Sequence, residues 1–139
     1  MCIRDRETAA TAPALADVER IQALKTGALI VFAAECGAIL GGADCASRAA
    51  LRGYAEALGL AFQIQDDVLD VEGDPEAAGK ALRKDEGAGK ATFVRLMGLE
   101  AARTRALGLA DEAEARLSKF GAAAQPLAWA ARFAVSRAA

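Results

Sequence analysis

Histidine is absent from this 139-residue sequence, which has only three cysteines and three prolines. Without histidine the chain lacks the most common zinc ligand and general base, which disfavours zinc chemistry and excludes histidine-dependent serine or cysteine catalysis. Cys2, Cys36 and Cys45 are an odd set without metal-ligand spacing, so a disulfide framework is also disfavoured. With 5% aromatic residues and a net charge of -2, the chain has neither the stacking surface nor the basic field that nucleic-acid binding needs.

The sequence also lacks a run of about 20 uncharged apolar residues, so it predicts no transmembrane segment. Charged residues within Met1–Arg6 disfavour a secretory signal, and a cytoplasmic location is expected by default. Residues 1–15 have no helical periodicity and are predicted to be poorly defined. Their sequence leaves open whether the first six are native or a cloning remnant. Residues 16–139 are expected to form part of one domain.

Alanine and leucine dominate the 54% hydrophobic fraction and prolines are few, and this composition predicts a soluble, mostly helical chain. Apolar residues at helical spacing, with glycine and proline as boundaries, predict four helices. Their expected ranges are 17–36, 46–72, 92–120 and 123–136. The polar, glycine-rich stretch 73–89 is interpreted as an ordered lid or loop. Trp129 and Phe133, four residues apart, are predicted to form the packing face of the last helix.

Four polar side chains share one face near the carboxyl-terminal end of the second predicted helix: Gln63, Asp66, Asp67 and Asp70. Like charges at this spacing destabilise a helix, and the partial negative charge of the helix carboxyl terminus adds to the repulsion. A hard cation would compensate this stripe. Mg²⁺ prefers oxygen ligands and commonly takes one or two carboxylates, with water and substrate phosphates completing its shell.

Lysine and arginine residues follow the acidic stripe, at Lys80, Arg83, Lys84 and Lys90. Together with the aspartates they suggest a diphosphate ligand, which the metal would bridge to Asp66 or Asp70 while the lysines neutralise its remaining charge. Such a site favours chemistry in which diphosphate departs as the leaving group.

The run Phe62-Gln63-Ile64-Gln65-Asp66-Asp67-Val68-Leu69-Asp70 resembles the second aspartate-rich region of trans-isoprenyl diphosphate synthases, the farnesyl and geranylgeranyl diphosphate synthase family. The pairs Gly79-Lys80 and Gly89-Lys90 and the upstream Lys25-Thr26-Gly27 also match. The resemblance implies an all-α fold, an antiparallel helical bundle that is the carboxyl-terminal part of the isoprenoid synthase fold. Complete chains of this family are about twice as long and typically homodimeric. Where many members have an aromatic residue followed by proline, this chain has Phe93-Val94.

The resemblance implies roles in Mg²⁺ and diphosphate binding. Asp66 and Asp70 would hold Mg²⁺ against an allylic prenyl diphosphate, and Asp67 would complete the acidic wall of the metal site. Lys25 and Lys80 would bind the diphosphate.

Further roles concern the reacting carbon and the pocket around it. Lys25, Thr26 and Gln63 would flank the carbon at which the allylic cation forms, before isopentenyl diphosphate attacks it. Phe62 would line the isoprenoid pocket, and Lys90 would belong to a closing loop.

Two alternatives to a truncated prenyltransferase stay open, namely a non-catalytic helical partner subunit and a terpene cyclase. Because the family's first aspartate-rich motif does not occur in this sequence, the chain alone is expected to be inactive in condensation. Apolar helix faces that pack against the rest of the fold in the family are expected to be exposed here, and to promote aggregation.

Overall fold

The computed structural model describes residues 14–73 and 92–137, and the elements in these two stretches are helices. Six α-helices, α1 to α6, are Leu15–Gln22, Ala28–Leu40, Cys45–Gly73, Phe93–Met97, Leu99–Arg116 and Gln125–Ser136. A π-helical turn, Ala23–Gly27, joins α1 to α2, and a 3₁₀ segment, Ser118–Ala124, joins α5 to α6. The predicted all-α fold is confirmed.

The longest helix, α3, lies at the centre and contacts α2, α4, α5 and α6. The side of α5 that is buried consists mainly of small residues: Ala102, Ala106, Leu109, Ala110 and Ala113. They recur at spacings of three and four, so they line one face of the helix. Because alanine side chains are short, α5 can pack closely along α3, and this explains why so alanine-rich a sequence forms a bundle.

Two clusters of buried residues form the core. One joins α1, α3, α4 and α5 around Ile64, Val68 and Phe93, which are almost completely buried. The other joins α3, α5 and α6 around Tyr54, whose hydroxyl donates a hydrogen bond to the Leu127 carbonyl at 2.9 Å. Burial raises the pKa of Tyr54 above its ordinary value of 10.0. The first cluster lies under the acidic end of α3 and holds that end in place.

The first predicted helix, 17–36, is longer in the structure and is interrupted by the π-helical turn. It begins at Leu15, and Asp17 accepts a hydrogen bond from the Ala14 N–H at 3.1 Å, so this carboxylate stabilises the first turn from inside it. Several large apolar side chains on α2 and the turn before it are exposed, including Leu24, Leu29, Phe32, Ile39 and Leu40. The aggregation expected from such exposure stays a prediction.

Within the described ranges, 15–40 is the one helical stretch that is long and apolar enough to cross a membrane, judged by length and composition. Helices buried in the cores of soluble proteins pass the same test, so this is weak evidence for a membrane span. The prediction that the chain has no transmembrane segment therefore stays a prediction.

Two details of the carboxyl-terminal half correct the sequence predictions. The helix predicted over 92–120 breaks at Gly98, which has φ 88°, and its last turn becomes 3₁₀ helix from Ser118. Trp129 and Phe133 do not form the packing face of α6: they stack on each other at 5.1 Å between ring centroids and are 65% and 52% exposed. The face that packs is made of small residues, since Ala131 and Ala134 are buried.

Asp44 caps the amino terminus of α3. Its Oδ1 accepts a hydrogen bond from the Ser47 N–H at 2.6 Å, and its backbone carbonyl accepts from the Arg48 N–H. The Ser47 hydrogen bonds, and next the charge of Lys119, hold the pKa of Asp44 below its ordinary value of 3.8. The carboxylate form is therefore the one that stabilises the helix end.

We expect Asp44→Ala to lower the melting temperature at neutral pH, because the first turn of α3 loses its side-chain acceptor. A lowered folded-state pKa contributes stability above the unfolded value, and this contribution disappears as the pH falls through the folded pKa. The difference in melting temperature between the two proteins should therefore shrink at acidic pH, as thermal unfolding at a series of pH values would test. Asp44→Asn is the matched control, since its amide oxygen still accepts but does not titrate. If Asp44→Ala lowers the melting temperature by the same amount at every pH tested, the prediction is wrong.

Candidate functional site

The three aspartates of α3 lie in its last three turns and differ strongly in exposure. Asp67 is 8% exposed and lies next to the buried Val68, whereas Asp70 is exposed and the Asp66 side chain is 42% exposed. Gln63 is half-buried. The stripe predicted from helical spacing is therefore divided between a buried carboxylate and two that reach the surface.

Asp67 points into the protein. Its Oδ2 accepts a hydrogen bond from the Phe93 backbone N–H at 2.9 Å, and both partners are buried. Phe93 is the first residue of α4, so this bond satisfies one of the backbone donors that a helix leaves unpaired at its amino terminus. Local sequence patterns do not predict this structural role, because the contact joins residues 26 positions apart.

Asp66 is paired with a cation from the last described residue of the chain. Its Oδ1 accepts a hydrogen bond from Nη2 of Arg137. The Arg137 guanidinium also lies over the Phe62 ring, 4.3 Å from its centroid, and the Arg137 carbonyl accepts from Nε2 of Gln65 at 3.5 Å. Asp66, Phe62 and Arg137 therefore form one cluster. Arg137 is not among the predicted site residues, because no sequence pattern near it indicates this contact.

Asp70 completes the set of predicted metal ligands and lies one turn after Asp66. The structure does not bring all three aspartates together as predicted: among residues 14–73 and 92–137, no three histidine, cysteine, aspartate or glutamate side chains form a group that could hold a metal ion. The physical reason is the burial of Asp67, whose carboxylate turns toward Phe93. The surface-reaching oxygen donors are those of Asp66 and Asp70.

Lys25 and Thr26 lie in the π-helical turn and are half-buried. This turn crosses α3 at very close range, since a Cβ built on Gly59 would lie 3.0 Å from the Gly27 Cα. A side chain at position 59 would therefore force the two segments apart. Gln63 follows Gly59 by about one helical turn, so the crossing lies about one turn before the first site residue of α3.

Lys80 and Lys90, which the sequence analysis assigned to diphosphate binding and to a closing loop, lie outside the described residues. Phe62 is half-buried and lies under Arg137. Its role as part of an isoprenoid pocket stays a prediction.

An apolar groove of about 700 Å³ runs between the first two helices and α3. Leu24, Phe32 and Leu60 contribute to its walls, and Arg52 crosses one end in ion pairs with Glu35 and Glu56 at 2.9 and 3.1 Å. The groove shares the Gly27 region with the crossing described above. An apolar space therefore adjoins the crossing, although none of the predicted site residues within the described part of the chain lines it.

The sequence and the structure were compared with known proteins. The sequence model of the polyprenyl synthetase family matches residues 3–122. The farnesyl diphosphate synthase of Escherichia coli is 48% identical over 104 residues, which are 73% of this chain and 34% of the relative. A dimethylallyltranstransferase of Fischerella ambigua is 42% identical over 123 residues, which are 88% of this chain and 36% of the relative.

Solved structures agree with these relatives. A crystal structure of an FPP/GFPP synthase from Zymomonas mobilis superposes with a TM-score of 0.79 at 42% sequence identity, and the match covers 94% of this chain and 42% of that protein. The chain spans about a third of the length of the curated relatives it matches. Because the family match extends over most of the chain, and the structural match over nearly all of it, this chain belongs to the polyprenyl synthetase family.

Proposed function

We propose that this chain is the carboxyl-terminal part of a prenyltransferase that condenses an allylic prenyl diphosphate with isopentenyl diphosphate. The observation that carries the proposal is the geometry of α3. Its carboxyl-terminal end presents Asp66 and Asp70, and the turn with Lys25 and Thr26 crosses the middle of the helix at Gly59. The names of the relatives favour a synthase over a non-catalytic subunit or a terpene cyclase. A homodimeric intact protein is a further proposal, which the family resemblance supports.

The donors at the end of α3 fit Mg²⁺. Asp66 and Asp70 supply carboxylate oxygens that reach the surface, and one or two carboxylates are the usual protein share of a magnesium shell. The Arg137 guanidinium already pairs with the Asp66 carboxylate, so a positive charge next to this carboxylate is stabilising. When bound, Mg²⁺ would neutralise negative charge on the departing diphosphate. Asp67 would stabilise the metal site indirectly, because its hydrogen bond with the Phe93 N–H fixes the start of α4.

The remaining residues of the site would act on the substrate. Lys25 would bind the diphosphate as a point charge, and Thr26 and Gln63 would face the carbon that becomes cationic. Phe62 would line the isoprenoid pocket with an apolar surface, and exclusion of water by such a surface protects a carbocation. Lys80 and Lys90 would add positive charge from the segment between α3 and α4.

We expect this chain to bind Mn²⁺, a spectroscopic substitute for Mg²⁺, with an affinity that falls at least tenfold in the double variant Asp66→Asn, Asp70→Asn, because both charged ligands are lost. Electron paramagnetic resonance of free Mn²⁺ during a titration measures this. Glu72→Gln is a suitable control, because it removes a third acid from the same helix end, one that pairs with Arg103. Equal affinity in the chain and the double variant would contradict the proposed metal site.

Prenyl transfer itself is tested in a chimera, in which this chain replaces the matching segment of the E. coli farnesyl diphosphate synthase. The chimera should incorporate radiolabelled isopentenyl diphosphate into prenyl product, whereas the chain alone should not. Incorporation by the purified chain alone would contradict the expectation that the chain is inactive by itself. A folded chimera that binds Mn²⁺ but shows no incorporation would contradict the proposed activity.

A further inference from the structure

Arg137 joins the end of α6 to the end of α3 through several contacts at once. Its guanidinium pairs with Asp66 and lies over the Phe62 ring, and its carbonyl accepts from Gln65. Its own Nε donates to the Ala134 carbonyl at 3.3 Å, which holds the side chain against the last turn of α6. The Arg137 side chain is only 25% exposed. It is therefore fixed over α3 and does not extend into solvent.

The chemistry of arginine explains why these contacts occur together. The planar guanidinium can donate in its plane to a carboxylate while its face stacks on an aromatic ring, and lysine cannot do both. A cation over an aromatic face within about 6 Å is attracted by the ring quadrupole. Phe62 and Asp66 are four residues apart on α3, so they lie on the same side of the helix and together form one binding surface for this side chain.

We propose that Arg137 is a latch that a divalent cation displaces: the guanidinium covers Asp66 and Phe62 while the metal is absent, and metal binding at Asp66 releases the end of α6 from α3. This inference rests on the proposed role of Asp66 as a metal ligand. Two cations within a few ångströms of one carboxylate repel each other, so the metal and the guanidinium compete for it. Release of the latch uncovers the Phe62 ring.

Thermodynamic linkage makes the competition measurable from both sides. If Arg137 weakens metal binding by some factor, the metal weakens the latch by the same factor. A partly exposed ion pair contributes about 0.2–1 kcal/mol, which corresponds to a factor of up to about five in affinity. The aromatic contact adds to the strength of the latch without involving the metal ligands.

Metal affinity is the first test. We expect Arg137→Ala in this chain to bind Mn²⁺ about two- to fivefold more tightly than the unchanged chain. Arg137→Lys should fall between the two, because it keeps the charge and loses the stacking. Arg105→Ala is the matched control, since it removes a guanidinium from an exposed ion pair with Glu112. Affinity in Arg137→Ala that equals or falls below that of the unchanged chain would overturn the proposal.

Amide hydrogen exchange is the second test, and it does not depend on activity. In the unchanged chain, Mg²⁺ should speed exchange at residues 134–137. Asp66→Asn should show fast exchange there without metal, because the charged partner of Arg137 is gone. Exchange that metal leaves unchanged at this helix end would overturn the latch.

The outcomes also separate the latch from the metal site. If Asp66→Asn loses Mn²⁺ affinity but Arg137→Ala does not gain it, the latch is wrong and the metal site stands. If Asp66→Asn binds as the unchanged chain does, or if no form of the chain binds Mn²⁺ at millimolar concentration, both proposals are wrong.

Discussion

Asp70→Ala in the chimeric enzyme should lower kcat at least about a hundredfold, because a metal ion at a departing diphosphate supplies several kcal/mol of transition-state stabilisation. Asp70 is the best position for this test, since it is exposed and its side chain has no hydrogen bond or ion pair with residues 14–73 and 92–137, unlike Asp67 and Asp66. Its substitution should therefore change metal binding without loosening the core.

The measurement is steady-state incorporation of isopentenyl diphosphate as a function of Mg²⁺ concentration. Loss of a ligand should raise the Mg²⁺ concentration required for half-maximal rate as well as lower kcat, and thermal unfolding should show an unchanged melting temperature. Glu72→Ala is the matched control, because it removes the same charge two residues later and breaks only a surface ion pair with Arg103. If Glu72→Ala lowers kcat as much as Asp70→Ala does, the effect comes from losing a negative charge at this helix end, and Asp70 is not a metal ligand.

Much of the helical fold could be predicted from local sequence signals. The predicted start of α3 at residue 46 lies one residue from its observed start at Cys45, because Gly41 and Gly42 interrupt the helical pattern before it. The break at Gly98 was missed, since a single glycine inside a periodic pattern is usually tolerated and its positive φ depends on how α4 and α5 pack. The π-helical turn at Ala23–Gly27 could not be predicted from spacing either, although its close approach to Gly59 is consistent with a glycine at that position.

The candidate site shows the same division between local and distant contacts. Helical spacing correctly places the acidic residues at the end of α3, but spacing cannot distinguish a carboxylate that binds a metal from one that binds a backbone. That distinction depends on Phe93, 26 residues from Asp67, and on Arg137, 71 residues from Asp66. The aromatic pair of α6 shows a related limit: periodicity predicts that the face with large apolar residues is buried, whereas the buried face consists of alanines.

Asp67→Ala should lower the free energy of unfolding by about 1.5–3 kcal/mol, the usual contribution of a hydrogen bond to a charged group. The substitution leaves the Phe93 N–H without its acceptor, and Phe93 is completely buried, so water cannot replace the lost oxygen without opening the core. Asp67→Asn should lose less stability, because an amide oxygen can still accept. Asp70→Ala should lose almost none. Urea unfolding of the chain and thermal unfolding of the chimera measure the difference. If Asp67→Ala is as stable as the unchanged chain and has lost Mn²⁺ affinity, Asp67 is a metal ligand and its contact with Phe93 is not what stabilises this end of α3.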